Sequence, residues 1–195
     1  MNYPLSLSFK IVALAPQIFV RDANGTELCY VKQKMFKLRE AVKVFTNQQQ
    51  DTVLCDIKAN KIIDWSATYN FVDQAGNEFG AVRRKGMRSL WKAHYQVVDG
   101  QDLRFEINEE NGWVKVLDGV LGQIPLIGAF TGYFFNPSYI ATRPGDETPV
   151  MRVAKQPAFW EGKFTIEKIG DLDEQEELAL LMAFLMMLLL ERSRG

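Results

Sequence analysis

The chain has 195 residues, 47% of them apolar, and a formal charge of −1 at pH 7. That length and composition predict a single domain, from residue 1 to 195, with one sizeable core. The near-neutral charge gives no global argument for a nucleic-acid partner or for an anionic membrane, and two cysteines in a chain of this length exclude a disulfide scaffold. We therefore expect Cys29 and Cys55, which lie in apolar alternating segments, to be reduced and buried.

The N-terminal segment is predicted to be a β-strand. Residues 5–11 alternate between apolar and polar side chains, which is the period of a half-buried strand. The segment lacks the positively charged stretch and apolar core that mark a secretory signal. We therefore expect a cytoplasmic protein, either free in the cytoplasm or peripheral at the membrane.

Glycine-containing turns recur along the chain, separated by short runs rich in Val, Ile, Phe, Tyr and Trp. The run 103–107 alternates between apolar and charged residues. Short alternating runs between such turns predict β-hairpins in a sandwich or a barrel. No linker rich in Pro or Ser divides the chain. The turns are Asn24-Gly25, Ala75-Gly76, Asp99-Gly100, Asn111-Gly112, Asp118-Gly119 and Pro144-Gly145.

The sequence contains an internal repeat. Residues 22–37 realign without gaps on residues 73–88, with five identical positions that include Asp22 and Asp73. Both copies share the order turn, strand, basic pair, apolar residue, basic residue, and a weaker echo ends in basic residues at 151–155. A duplicated hairpin cannot bury its apolar face alone. The repeat therefore predicts two related halves wrapped into one barrel.

The C-terminal segment is predicted to be one helix. Acidic residues precede the apolar run Leu178–Leu190, and Asp173 and Glu176 have the spacing of a capping box. The run has no β-branched residue and is apolar on every side, so the helix must be surrounded by protein or by lipid. Its 13 residues span roughly 20 Å, which is short of the roughly 30 Å hydrocarbon layer of a membrane.

Short strands with glycine turns, basic strand ends and one all-apolar C-terminal helix together resemble the tubby C-terminal-like superfamily. That superfamily includes tubby domains, phospholipid scramblases and LURP-one-related proteins. The likeness looks strongest to bacterial scramblase-related proteins. It is carried by the hairpins at 22–37 and 73–88, by residues 136–139 and 156–159, and by the helix from 173 to 194.

The resemblance implies a mostly β fold, in which a closed antiparallel barrel of about twelve strands surrounds the terminal helix. Residues 1–170 would form the barrel and residues 171–194 the central helix. The sequence departs from the scramblases in lacking their cluster of palmitoylated cysteines, and no segment has the order of ligands that a calcium loop requires.

The sequence contains no catalytic or metal-binding motif that we recognise. His94 is the only histidine, and one histidine with two separate cysteines does not make a closed zinc site. There is no phosphate-binding loop, no GxSxG elbow and no HExxH helix. The acidic residues at 171–177 suit the start of a helix. We therefore predict a non-enzymatic protein without a metal or cofactor.

A basic cluster is the one candidate site. The stretch 79–98 has no acid and five bases, which are Arg83, Arg84, Lys85, Arg88 and Lys92. In a strand, Arg83 and Lys85 share one face, and so do Lys32 and Lys34 in the first copy of the repeat. The repeat thus predicts two basic pairs at equivalent places in the two halves.

Several functions stay open for this cluster. One interpretation is an ordinary solvated strand face, whose bases protect a sheet edge from aggregation. The other is a surface for anionic phospholipid or phosphoinositide headgroups, which the resemblance implies because some tubby-like domains bind phosphoinositides. The candidate residues are Arg83, Arg84, Lys85, Arg88, Lys32 and Lys34. A scaffold for a protein partner and a scramblase-type membrane protein are the alternatives.

Overall fold

The computed structural model describes residues 1–12, 15–32, 41–60, 67–85, 94–110, 137–157 and 162–192. These residues form twelve strands and one long helix, α1 (Glu174–Arg192). The first six strands are β1 (Leu5–Val12), β2 (Ala15–Arg21), β3 (Glu27–Lys32), β4 (Ala41–Phe45), β5 (Val53–Ala59) and β6 (Thr68–Val72). The second six are β7 (Glu78–Arg84), β8 (His94–Asp99), β9 (Asp102–Glu109), β10 (Ser138–Thr142), β11 (Pro149–Gln156) and β12 (Gly162–Lys168).

The strands form one closed antiparallel barrel, as predicted. Each strand pairs with the next one in the chain, and β12 closes the ring by pairing with β1, where Leu5 faces Ile166. Alternation places apolar side chains inside the barrel. In β9, for example, Phe105 and Ile107 are buried while Arg104 is exposed. The period of two in the sequence thus becomes an apolar interior and a polar outer wall.

The two copies of the repeat form equivalent hairpins. β3 and β7 begin 51 residues apart, which is the period of the repeat. In the first turn, the Asp22 carboxylate accepts a hydrogen bond from the Thr26 backbone N–H at 2.9 Å. In the second, Asp73 accepts one from the Asn77 backbone N–H at 2.8 Å, and this bond helps to hold the pKa of Asp73 below its usual value. The identical aspartates therefore fix the same turn twice.

The barrel has two different ends. The hairpins β2–β3, β4–β5, β6–β7, β8–β9 and β10–β11 all turn at one end, which we call the hairpin end, and each has an irregular register beside its turn. α1 begins there, where Arg143 binds Glu176 at 2.8 Å. It finishes at the other end, which we call the distal end, where Arg192 lies over the Phe9 ring at 5.0 Å. α1 therefore runs the length of the barrel.

α1 is buried on every side, as the all-apolar run predicts. A surface helix would keep one face in water, whereas the barrel wall encloses this one. Within the described residues, no helix has the length and apolarity to cross a membrane. The residues of α1 that are at most 5% exposed lie all around the helix and include Leu181, Met182, Phe184, Leu185, Met186, Leu188 and Leu189.

The acidic residues at the start of α1 are structural. Asp173 Oδ1 accepts a hydrogen bond from the Glu176 backbone N–H at 2.8 Å, and Glu176 Oε2 accepts one from the Asp173 N–H at 3.2 Å. This is the predicted capping box. Glu177 is buried and pairs with Lys168 Nζ at 2.7 Å. Glu176 thus caps the helix and joins it to the barrel through Arg143, and Glu177 joins it through Lys168.

One glycine explains why α1 lies closest to β7 and β8. Gly80 in β7 has a φ of +153°, and a Cβ at this position would lie 3.5 Å from the Ala179 Cβ on α1 and 3.4 Å from the Phe71 ring. The equivalent position in the first copy of the repeat is Cys29. The two halves of the repeat therefore differ at this position, and the glycine in the second half allows the helix to approach the backbone of the sheet.

Substitution of Gly80 is expected to destabilise the barrel in two steps. In Gly80→Ala the methyl group has room, so we expect only the backbone strain of about 1–3 kcal/mol. Gly80→Val adds crowding against Ala179, which costs about 1–3 kcal/mol more. Chemical denaturation measures both values. An alanine variant as stable as the wild type would contradict the strain, and equal stabilities of the two variants would contradict the close packing.

Candidate anion-binding site

Arg83 lies on the outer face of the barrel at the distal end of β7, and Lys85 directly follows that strand on the same face; both side chains are exposed. Val82, between β6 and β8 in the sheet, is buried inside the barrel, and Arg84 is half-buried. Strand alternation therefore places Arg83 and Lys85 on the same face, as the sequence predicts. This pair is the centre of the candidate site.

A polar network joins the pair to the next two strands. Arg83 Nε donates a hydrogen bond to Gln96 Oε1 at 3.1 Å, and Gln96 Nε2 donates one to Glu106 Oε1 at 3.3 Å. Lys85 Nζ donates to the same Glu106 oxygen at 3.2 Å. His94 Nε2 lies 3.5 Å from that oxygen. We call Arg83, Lys85, His94, Gln96 and Glu106 the β7–β9 patch.

Glu106 changes the charge that the sequence suggests for this region. The stretch 79–98 contains no acid, but antiparallel pairing places Glu106 of β9 opposite Gln96. Partial burial acts to raise the pKa of Glu106, but hydrogen bonds from Gln96 and Lys85, with the charge of Lys85, outweigh it and keep the pKa below its usual value. Glu106 is therefore ionised at neutral pH and offsets one of the two outer positive charges.

Arg84 belongs to a different environment. It pairs in register with Tyr95, whose ring is fully buried inside the barrel. The Tyr95 hydroxyl donates a hydrogen bond to Glu191 Oε1 of α1 at 2.5 Å. Burial and then the negative charge of Glu191 raise the pKa of Tyr139 nearby to about 12. Arg84 thus lies at the mouth of the barrel, beside buried tyrosines, and not on the outer face with Arg83.

Lys32 is exposed at the distal end of β3. It lies in one row with Lys10 of β1, because both residues pair with the same residue of β2. β4, β5 and β6 separate Lys32 from Arg83, so the two halves of the repeat place their bases at the same end of the barrel but on different walls. Lys34 and Arg88, the other two predicted site residues, lie outside the described residues.

The formal charge of −1 conceals a strong separation of charge between the two ends. At the hairpin end, the described bases are Arg21, Arg104, Arg143 and Lys168. The acids outnumber them and are Asp22, Glu27, Asp51, Asp73, Glu78, Asp99, Asp102, Asp146, Glu147, Asp171, Asp173, Glu174, Glu176 and Glu177. At the distal end, the described acids are Glu106 of the β7–β9 patch, Glu109, Glu110 and Glu191. They are outnumbered by the bases Lys10, Lys32, Lys58, Arg83, Arg84, Lys85, Lys155, Lys163 and Arg192.

A cavity of about 200 Å³ opens at the hairpin end, between the first turn of α1 and strands β7 to β9. Phe79 and Phe105 line it together with the carboxylates of Asp99 and Glu176. Arg143 already binds Glu176 and lies over the Phe105 ring at 5.1 Å. Because Arg143 already occupies Glu176 and the Phe105 ring, and because the cavity is at the opposite end from the β7–β9 patch, we do not include it in the candidate site.

The two cysteines are unpaired and buried, as predicted. Cys55 Sγ lies 3.4 Å from the sulfur of Met182 on α1. Burial, and then the charge of Asp56, raise the pKa of the Cys55 thiol to about 12, so almost no reactive thiolate exists at neutral pH. In the part of the chain that the structure describes, no group of His, Cys, Asp and Glu side chains is arranged to hold a metal ion.

Three polar residues at this end of the barrel are not marked as site residues by any motif in the sequence: Lys10, Gln96 and Glu106. Each lies on the outer face that strand alternation assigns to it. The Asp99-Gly100 turn predicts the hairpin that brings β8 beside β9. The turn therefore indicates that Gln96 and Glu106 lie near each other. A register irregularity between Val97 and Val98 changes which residues of β8 and β9 pair, so the exact partner could not be counted from the turn.

A closed antiparallel barrel around a buried C-terminal helix places this protein in the class of tubby-like barrels. A family model described as LURP-one-related matches residues 27–188, and the chain belongs to that family. The solved structures include an X-ray structure of a protein from Arabidopsis thaliana that is similar with a TM-score of 0.51 and 14% sequence identity, over 97% of this chain and 91% of that one. At this identity the likeness shows the fold alone. No curated protein matches the sequence significantly.

Proposed function

We propose that this protein is a non-enzymatic binding module that docks on membranes containing anionic phospholipids or phosphoinositides. The observation that carries the proposal is the exposed pair Arg83 and Lys85, placed side by side at the basic end of a barrel whose other end is acidic. Two residues apart on a strand, their Cα atoms are roughly 7 Å from each other, which suits contact with neighbouring phosphates. Membership of the family supports a binding role without specifying the ligand.

The separation of charge favours one orientation of the molecule at a negative surface. The electrostatic potential of an anionic leaflet attracts the distal end and repels the hairpin end. Each Lys or Arg near such a surface contributes about 1 kcal/mol. A protein with a formal charge of −1 can therefore bind an anionic membrane, provided that only one end touches it.

The spacing of the bases favours a surface over a single small ligand. Lys32 on β3 and Arg83 on β7 are four strands apart around the barrel. At about 4.8 Å per strand, that separation is roughly 19 Å along the wall. One headgroup cannot reach both positions, whereas a membrane presents many headgroups at once. We therefore assign Lys32 and Lys10 as a second, weaker contact of the same docking end.

Reversing the charge of the pair should abolish docking. In Arg83→Glu/Lys85→Glu two attractive charges become repulsive, so we expect vesicle binding to fall about a hundredfold or more. Cosedimentation with phosphatidylcholine vesicles, with or without phosphatidylserine or a phosphoinositide, measures the effect. The wild type is expected to sediment only with the anionic vesicles.

A matched variant controls for the change in net charge. Lys155→Glu/Lys163→Glu makes the same change at the distal end, but on β11 and β12, which lie on the other side of the barrel. We expect it to keep most of the binding. A wild type that ignores anionic vesicles would disprove the proposal, and so would equal losses in the two double variants, because net charge alone would then explain the binding.

A further inference from the structure

We propose that His94 and Glu106 make docking of the β7–β9 patch dependent on pH, with tighter binding when His94 is protonated. This inference rests on the proposed function and adds its regulation. Its structural basis is the position of Glu106, which accepts hydrogen bonds from Lys85 and Gln96 and lies next to His94 without a hydrogen bond to it. No motif in the sequence marks this pair, because it forms only when β8 lies beside β9.

Glu106 takes the place that an anionic headgroup would fill. One of its oxygens accepts hydrogen bonds from Lys85 Nζ at 3.2 Å and from Gln96 Nε2 at 3.3 Å. A phosphate or carboxylate oxygen from a lipid needs the same donors. As long as Glu106 is ionised and bound in this way, Lys85 is partly neutralised, and the lipid must compete with an internal carboxylate for it.

His94 is the group that can release this competitor. Its Nε2 is buried and has no hydrogen-bond partner among the described residues. The nearest acceptor is the same Glu106 oxygen, at 3.5 Å, which is too far for a good hydrogen bond. A buried nitrogen without a partner is unfavourable. Protonation of the imidazole would turn this near contact into a charge-assisted bond and thereby satisfy both groups.

Among the described residues, the other groups around His94 leave this contact as its main charged interaction. On β7, the Lys85 backbone N–H donates to the His94 carbonyl at 2.9 Å, and the side chain of Lys85 binds Glu106. On β9, the neutral Asn108 pairs with His94. Farther along the outer face of that segment, Glu110 is already held by Arg152 Nε at 2.8 Å. Arg83, which pairs with Gln96 two residues closer to the hairpin end, donates its hydrogen bond to Gln96.

The direction of the effect follows from these charges. Histidine is the side chain whose charge changes between about pH 5 and about pH 8, so acidification is the change that would protonate this imidazole. Acidification adds one positive charge to the patch and moves Glu106 toward His94, which frees the Lys85 ammonium for a headgroup. Both changes strengthen the attraction to an anionic membrane. We expect affinity to rise about fivefold or more between about pH 7.5 and about pH 5.5.

Two variants test the pair in the full-length chain. His94→Gln keeps a polar side chain but cannot become charged, so its binding should not rise on acidification. Glu106→Gln removes the competitor, so it should bind at about pH 7.5 at least as tightly as the wild type binds at about pH 5.5. Phosphatidylserine vesicles are the probe, because their headgroup keeps nearly the same charge over this range. A thermal melt of each variant checks that it is folded.

The outcomes separate the two proposals. A rise in wild-type binding that is lost in His94→Gln, with tight binding by Glu106→Gln at neutral pH, supports the inference. Wild-type binding that does not change with pH, or an unchanged rise in His94→Gln, overturns the inference and leaves the proposed function in place. If the wild type binds at neither pH, docking itself is wrong, and its regulation fails with it.

Discussion

A fragment of residues 1–172, which lacks α1, is expected not to fold. The helix supplies an unbroken run of buried side chains to the core, from Ala179 to Leu189. Removing it discards more than ten apolar side chains, each of which contributes roughly 1.5–3 kcal/mol when buried. Since domains are stable by only about 5–15 kcal/mol, the barrel cannot absorb this loss.

Circular dichroism decides the matter. The fragment 1–172 should show no cooperative thermal transition, while a control fragment 1–192, which keeps all of α1, should melt like the full-length chain. A cooperative transition in the shorter fragment would mean that the strands fold without the helix. The helix would then be an accessory segment, and its burial on every side would not be what stabilises this barrel.

Most of the fold could be predicted because its signals are local. The repeat at 22–37 and 73–88 predicted equivalent hairpins, and both copies form the same turn, in which an aspartate accepts backbone hydrogen bonds. The run Leu178–Leu190 is apolar on every side. It predicted a helix that must be enclosed, and the barrel encloses it. The spacing of Asp173 and Glu176 predicted the capping box at the start of this helix. Each of these signals depends on residues that are near one another in the chain.

The candidate site was predicted less completely because it depends on register. Arg83 and Lys85 share the predicted face, since alternation within one strand decides it. The charge balance of that face depends on Glu106, which comes from the next hairpin, and no feature within 79–98 reveals it. For the same reason, the sequence grouped Arg84 with its neighbours, although alternation turns its side chain toward Tyr95 at the mouth of the barrel.

The asymmetry between the halves of the repeat also could not be predicted. Cys29 and Gly80 occupy equivalent positions, and in the sequence a glycine within a strand indicates either a bulge or a close approach of another backbone. Only the position of α1 distinguishes the two cases, because a Cβ at Gly80 would lie 3.5 Å from that of Ala179. The reason for the glycine is therefore a contact with Ala179, about a hundred positions away in the chain.

A single charge inside the barrel should be nearly as damaging as removing the helix. Leu185 is fully buried in the middle of α1, and Leu185→Asp would place a carboxylate where no partner is available among the apolar residues around it. An unpaired buried charge and the loss of apolar contacts together cost about 5 kcal/mol or more. That cost is comparable to the whole stability of a domain, so we expect this variant to be largely unfolded at neutral pH.

The pH dependence of this variant distinguishes a buried charge from a simple packing defect. Burial disfavours the ionised form, so the introduced carboxyl has a raised pKa in the folded state. Its destabilising effect is therefore largest above that pKa and shrinks as the pH falls and the group becomes neutral. The control Leu185→Met conserves volume and should lose less than about 1.5 kcal/mol at every pH. If Leu185→Asp melted like Leu185→Met at neutral pH, the side chain would have to reach water, and the helix could not be enclosed on all sides.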